Sequence, residues 1–236
     1  TGEKIMRDDI CTIPVSEVFE HNDGCPICRM RDTIEERMTD YILGDAMMEP
    51  DVRIETNKTG FCEHHYNNMM SRRGRLQLAL MLQTHINEIN GEIFKKKLFN
   101  TDSKKTGNAK NITDSCFICS KIEWGLSRMI ETVYRCYEMQ KDFRDMFNSQ
   151  SMFCLPHYER LLGGASKRNM KSYYSEFSEN LNRITGEYSK SLYDDLSKYC
   201  TMYDYRSRDG ETDWGNSRDA VERTVAFLNG RIYDVY

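Results

Sequence analysis

The chain has 236 residues, 30% of them charged, with 4 prolines and a net charge of −4. This describes a helix-rich globular protein of one large or two small domains, and its acidity argues against nucleic acid or an anionic membrane surface as a partner. No apolar run reaches the ~18 residues of a membrane span. Nine cysteines without a basic-then-apolar secretion signal point to a reducing cytoplasm and metal thiolates, not to disulfides.

In chain order, residues 1–20 read as an N-terminal lead. Asp23-Gly24 turns the chain into Cys25-Pro26, and proline suits a first helical turn because its missing N–H would have no partner there. Ile27, Met30, Ile34, Met38 and Tyr41 then recur every three to four residues, predicting an amphipathic helix that stops at Gly44. Pro50 opens a short return segment ending in the turn cluster Asn57-Lys58-Thr59-Gly60. A longer helix is expected from about Cys62, carrying Met69, Leu76, Leu80, Ile86 and Ile93, with a break at Arg73-Gly74.

The polar segment 101–113 reads as a linker, after which the pattern restarts. Asp114-Ser115-Cys116 answers Asp23-Gly24-Cys25, Arg128-Met129 answers Arg37-Met38, and Asn182, Ile184 and Gly186 answer Asn87, Ile89 and Gly91. The fold expected is therefore all-α: internally duplicated helical hairpins over 21–100 and 114–200, each tied by a metal site. Residues 201–236 have no counterpart and read as a C-terminal helical tail packing back on the body. Asn216 or Ser217 would cap its helix, Val221, Val225 and Leu228 would share its inner face, and Gly230 would end it.

The chemistry lies in two echoing motifs. Cys25-Pro26-Ile27-Cys28 precedes Phe61-Cys62-Glu63-His64-His65-Tyr66, and Cys116-Phe117-Ile118-Cys119 precedes Phe153-Cys154-Leu155-Pro156-His157-Tyr158. Three thiolates and an imidazole suit a four-coordinate zinc ion. The matched spacing predicts Cys25, Cys28, Cys62 and His65 as one site, and Cys116, Cys119, Cys154 and His157 as the other, each gathered by two helix N-termini. An iron–sulfur cluster is the alternative, disfavoured because histidine ligation of clusters is exceptional. Asp23 and Asp114 stand two residues before each CxxC, as outer supports of a ligand or as turn caps. His64 reads as a surface residue and His21 and His85 as unpaired. Cys11 is unassigned, and Cys136 and Cys200, beside aromatic residues, read as buried inert thiols.

The tandem CxxC…FCxxH motifs, Met47-Met48-Glu49-Pro50-Asp51-Val52-Arg53, and Asp204-Tyr205-Arg206 with Trp214-Gly215-Asn216-Ser217 resemble an uncharacterised bacterial family, domain of unknown function 6062. The resemblance implies a cytosolic, all-helical, metal-binding protein and no particular activity. No Gly-rich phosphate loop, HExxH helix or GxSxG elbow is present, so the sequence assigns no catalytic or cofactor-binding residue and enzyme function has no positive support. The function expected is a zinc-stabilised structural, interaction or ligand-binding module with a protein or small-molecule partner. A redox or metal-handling protein with functional thiolates is the alternative.

Overall fold

The computed structural model describes residues 12–95, 101–203 and 213–230, and all regular structure within them is helical. The helices are α1 (Thr12–Glu20), α2 (Pro26–Leu43), α3 (Pro50–Thr59), α4 (Glu63–Ser71), α5 (Arg75–Ile89), α6 (Asp102–Thr113), α7 (Phe117–Met139), α8 (Lys141–Asn148), α9 (Leu155–Gly164), α10 (Tyr174–Tyr203) and α11 (Ala220–Asn229). None is long and apolar enough to cross a membrane among the described residues. The chain forms two compact units: Arg31–Leu126, and residues up to Met30 together with Ser127 onward. The division falls inside α2 and α7. The expected linker 101–113 is instead helix α6 within the first of these units, capped by the Thr101 hydroxyl. Repeats and compact units are thus different partitions of the same chain.

In the Arg31–Leu126 unit the return segment is a full helix. Pro50 occupies its first turn, Asp51 and Lys58 complement its dipole, and Gly60 at φ +58° closes it. The expected break at Arg73-Gly74 separates α4 from α5, with Gly74 at φ +107°. A Cβ there would stand 3.3 Å from Leu43, so glycine serves both the turn and the close approach. The core is aliphatic and thioether-rich, formed by Ile42, Phe61, Met69, Leu78, Met81 and Phe117. His85 is buried and bonded through Nδ1 to the Asn57 carbonyl at 2.7 Å, closing the end of α3. On α2, Ile34, Met38 and Tyr41 are only half-buried, and the inward face includes Glu35, Thr39 and Ile42.

The other unit is built on rings. Phe147 stacks against Phe153 at 4.9 Å and lies 4.9 Å from Phe177 and 5.7 Å from Phe19. Tyr137 packs edge-on against Phe147 and Phe177 at 5.1 and 5.0 Å. Such offset and T-shaped pairs satisfy ring quadrupoles while burying large areas. The tail does return: α11 rests on α9 and α10, and Gly230 in the left-handed region ends it as expected.

In the C-terminal region and at Cys200 the structure departs from the expected arrangement. A 3-10 turn over Gly215–Ser217 precedes α11, whose N-cap is Asp219. Val221, Val225 and Leu228 are exposed, and Ala220 and Phe227 face inward. Both stripes satisfy a helical period, and the Phe227–Tyr188 ring contact and the Arg223–Asp195 ion pair at 2.9 Å decide between them. Cys136 is buried, but Cys200 is exposed. Its neighbours Tyr199 and Tyr203 turn toward Trp214, at 5.7 and 5.3 Å, and leave the intervening thiol outside. Cys11 and the Asp204-Tyr205-Arg206 motif lie outside the described residues.

Candidate metal centres

Each of the four motifs starts a helix. Cys62 and Cys154 are the N-caps of α4 and α9, and Cys25 and Cys116 immediately precede α2 and α7. The second ligand follows three residues later, so both point to one side of the first turn. Helix N-termini favour thiolates, and the Cys119 N–H lies 3.4 Å from the Cys116 sulfur as a direct instance.

All eight predicted ligands fall into two clusters, but the pairing differs from the expected one. Site 1 is Cys25, Cys28, Cys154 and His157; site 2 is Cys62, His65, Cys116 and Cys119. Each CxxC meets the CxxH of the other repeat, so site 2 is nested along the chain inside the span closed by site 1. Spacing within a repeat could not reveal this, because motif intervals fix only whether a chain can reach, and both pairings are within reach. Each site lies wholly within one compact unit.

Hydrogen bonds preorganise both pairings. At site 2 the Phe117 N–H donates to the Gly60 carbonyl at 3.0 Å, and the Ser115 hydroxyl to the Thr59 carbonyl at 2.7 Å. A Cβ on Gly60 would stand 2.7 Å from His85 Nε2, so this approach needs glycine. At site 1 the bridge is made by side chains. Asn22 donates to the Ser149 carbonyl at 2.9 Å and accepts from the Ser151 N–H at 2.5 Å, and Gln150 donates to the Phe19 carbonyl at 2.8 Å.

The geometry fits one four-coordinate ion in each site. Bonds of about 2.3 Å to sulfur and 2.0–2.1 Å to nitrogen imply tetrahedral edges of about 3.8 Å for S···S and about 3.5 Å for S···N. At site 1, Cys28 and Cys154 sulfurs are 3.5 Å apart, and Cys25, Cys28 and Cys154 lie 3.6, 3.3 and 3.1 Å from His157 Nδ1. At site 2, Cys62 and Cys119 sulfurs are 3.8 Å apart, and Cys62, Cys116 and Cys119 lie 3.1, 3.3 and 3.5 Å from His65 Nδ1. Both histidines present Nδ1.

Electrostatics agree with that fit. At site 2, burial opposes ionisation of Cys116, yet the neighbouring His65 ring pulls its thiol down to about 6. His65, against burial, is raised to about 10 by Cys116 and Glu35. Burial and the charge on Cys116 then push Cys119 up. At site 1, burial opposes but Cys154, Cys28 and His157 draw Cys25 well down, while bonding to Cys25 and burial push Cys154 up to about 12 against an opposing bond to Cys28. Bonding to Cys154 and Cys25 pushes Cys28 up. Protein groups alone thus hold Cys25 and Cys116 readily as thiolates and resist ionisation of Cys28, Cys119 and Cys154, which is the charge imbalance a bound dication corrects.

The sites differ in access. At site 1, Cys25, Cys154 and His157 are buried; at site 2 only His65 is, Cys62 and Cys116 are half-buried and Cys119 is exposed. Glu35, which the sequence reading passed over, joins site 2: its Oε1 lies 3.2 Å from His65 Nε2 and 2.7 Å from His64 Nε2. A signal existed, since the 91-residue offset from Arg37 to Arg128 places Leu126 at the matching position, so an acid occupies a position that is apolar in the other repeat. His64 is an exposed surface residue, as expected, and its Nε2 is tied to that carboxylate. Asp23 pairs with Arg29 instead of supporting a cysteine, Asp114 caps the end of α6, and His21 is exposed and outside both clusters.

The chain matches a family of unknown function, DUF6062, over residues 6–235. It belongs to that family. No curated protein and no solved structure matches it significantly. Membership agrees with the resemblance carried by the motifs and adds no activity to the two clusters.

Proposed function

We propose that this DUF6062 protein is a bacterial cytoplasmic module whose two Cys3His sets each hold a structural zinc ion, and that it acts by binding a protein or small-molecule partner, not by catalysis. The tetrahedral-edge spacing of both ligand sets carries this reading. Zinc would supply charge neutralisation and a rigid four-way crosslink between helix starts. In each set all ligand atoms lie within 4.8 Å of one another, whereas a polynuclear iron–sulfur cluster places several atoms between its thiolates and needs a wider set. Four protein ligands per site leave no position open for substrate, unlike catalytic zinc centres. A cavity of about 490 Å³ borders site 1 between Met152, Tyr188 and Arg223, within the size range of small-molecule pockets. The cytoplasmic assignment rests on eight free thiols among the described residues, and the net charge of −4 argues against nucleic acid.

Elemental analysis with an absorption spectrum of anaerobically purified protein tests the metal assignment. Two zinc per chain and no visible absorption are expected; iron with visible charge-transfer bands would replace this reading with a cluster protein. One observation favours a second reading for site 2 alone. Exposure of Cys119 is what a metal-handling or redox-responsive thiolate requires, and exchange of the site 2 ion with free metal on a timescale of minutes would support it.

A further inference from the structure

Glu35 is buried on the inward side of α2, at 6% exposure, where a carboxylate must be compensated for its lost hydration. Two imidazoles face it, His65 Nε2 at 3.2 Å and His64 Nε2 at 2.7 Å. His65 turns Nδ1 toward the sulfurs of Cys62, Cys116 and Cys119. A neutral imidazole that gives its Nδ1 lone pair to a cation carries its proton on Nε2. That nitrogen is fully buried and has no partner in hydrogen-bond geometry, so the carboxylate at 3.2 Å is the acceptor a small ring rotation would engage.

We propose that Glu35 is a positioning residue for site 2: it accepts the Nε2–H of His65, fixing the tautomer and ring orientation that leave Nδ1 for the metal, while His64 holds the same carboxylate from the solvent side. The inference rests on site 2 being a metal site. It sets that site apart from site 1, because the repeat-equivalent of Glu35 is Leu126. Carboxylate–histidine–metal arrangements of this kind raise ligand basicity and hold the ring in place. The alternative, a further ion held among Glu35, His64 and His65, would need both nitrogens of His65 as ligands and hence loss of its last ring proton.

The test is zinc competition against a chromophoric chelator, with long-range 1H–15N spectra of the zinc-loaded full chain, on wild type, Glu35→Gln and Glu35→Leu. Two zinc equivalents are expected in all three. In Glu35→Leu one site should weaken about 10- to 100-fold and the other stay unchanged. Glu35→Gln, whose amide oxygen still accepts, should lose only several-fold. The His65 Nε2–H resonance should be protected in wild type and exchange with water in Glu35→Leu. Should the leucine variant fail to fold, the glutamine variant and the resonance still decide. Unchanged affinity in Glu35→Gln with an unprotected wild-type proton would overturn the assignment, as would equal weakening of both sites, which marks a packing role. A third zinc equivalent in wild type that Glu35→Gln abolishes would also overturn it. Absence of zinc binding by wild type would remove the metal reading together with this one.

Discussion

The two candidate metal centres share a set of three cysteines and one histidine and differ in nearly everything around it. Site 1 joins Cys28 to Cys154 across 126 positions, has three of its four ligands buried, and has its approach pinned by Asn22 and Gln150. Site 2 joins His65 to Cys116 across 51 positions, exposes Cys119, and is pinned by a main-chain hydrogen bond through Gly60. Loop length is the smaller part of the contrast: closing the longer span differs by only about 0.8 kcal/mol in chain entropy. Burial is the larger part, since buried thiolates must be dehydrated and exposed ones stay open to water, protons and chelators. The same residue set thus makes a closed cluster in one unit and an accessible one in the other.

The largest effect should come from stripping both ions. Structural zinc sites supply an apparent ~10–16 kcal/mol near neutral pH, against ~5–15 kcal/mol for the whole stability of a domain. Removal should therefore abolish most of the helical circular dichroism and the cooperative melt. It should proceed in two steps, with site 2 losing its ion at least about tenfold faster. Retention of the full signal after complete removal would show the sites are not structural, and simultaneous release would erase the contrast between them.

Next in size are single-ligand changes. Cys154→Ser and Cys119→Ser should each lose about one metal equivalent by elemental analysis. The buried change should also lower the melting temperature more, because the ring core around Phe153 is directly attached to it. Equal losses of stability would mean burial is not what separates the sites.

Gly60→Ala should destabilise the Arg31–Leu126 unit by about 2–4 kcal/mol, combining a positive φ with a steric clash, since its Cβ would meet His85 at 2.7 Å. Metal titration should show site 2 weakened and site 1 untouched. Asn22→Ala should do the reverse at about 1 kcal/mol, the net worth of the two exposed hydrogen bonds it removes.

The smallest effect concerns Cys136, buried in the ring-lined unit, whose thiol is pushed up to about 11 by burial. A folded-state pKa above the unfolded value means the stability it supports is complete below the ordinary thiol range near 9 and is lost as pH rises to about 11. Melting temperatures of the metal-loaded protein should fall across that window, and Cys136→Ala should flatten part of the fall. An unchanged slope in that variant would assign the alkaline loss to other groups, of which Tyr134, raised by burial to about 12, is the first to examine.

Much of this molecule is legible without tertiary information because it is local. The helical starts at Pro26 and near Cys62, the break at Gly74 and the stop at Gly230 follow from backbone preferences acting within one turn. The eight ligands are recognisable because i and i+3 at a helix start share a face whatever the helix packs against. What remained for the tertiary structure depends on which surfaces meet. Val221, Val225 and Leu228 have a helical period as sound as the stripe of Ala220 and Phe227, and only the presence of Tyr188 and Asp195 beside the latter chose between them. Glu35 looked like one more charge on an amphipathic helix until His64 and His65 came against it. Pairing of the half-sites was likewise undetermined, because each CxxC and each CxxH is a complete half-site with the same chemistry, and either partner satisfies it. Packing within each compact unit brings the N-termini of α2 and α9 together in one and those of α4 and α7 together in the other, and so decides which thiolates cluster.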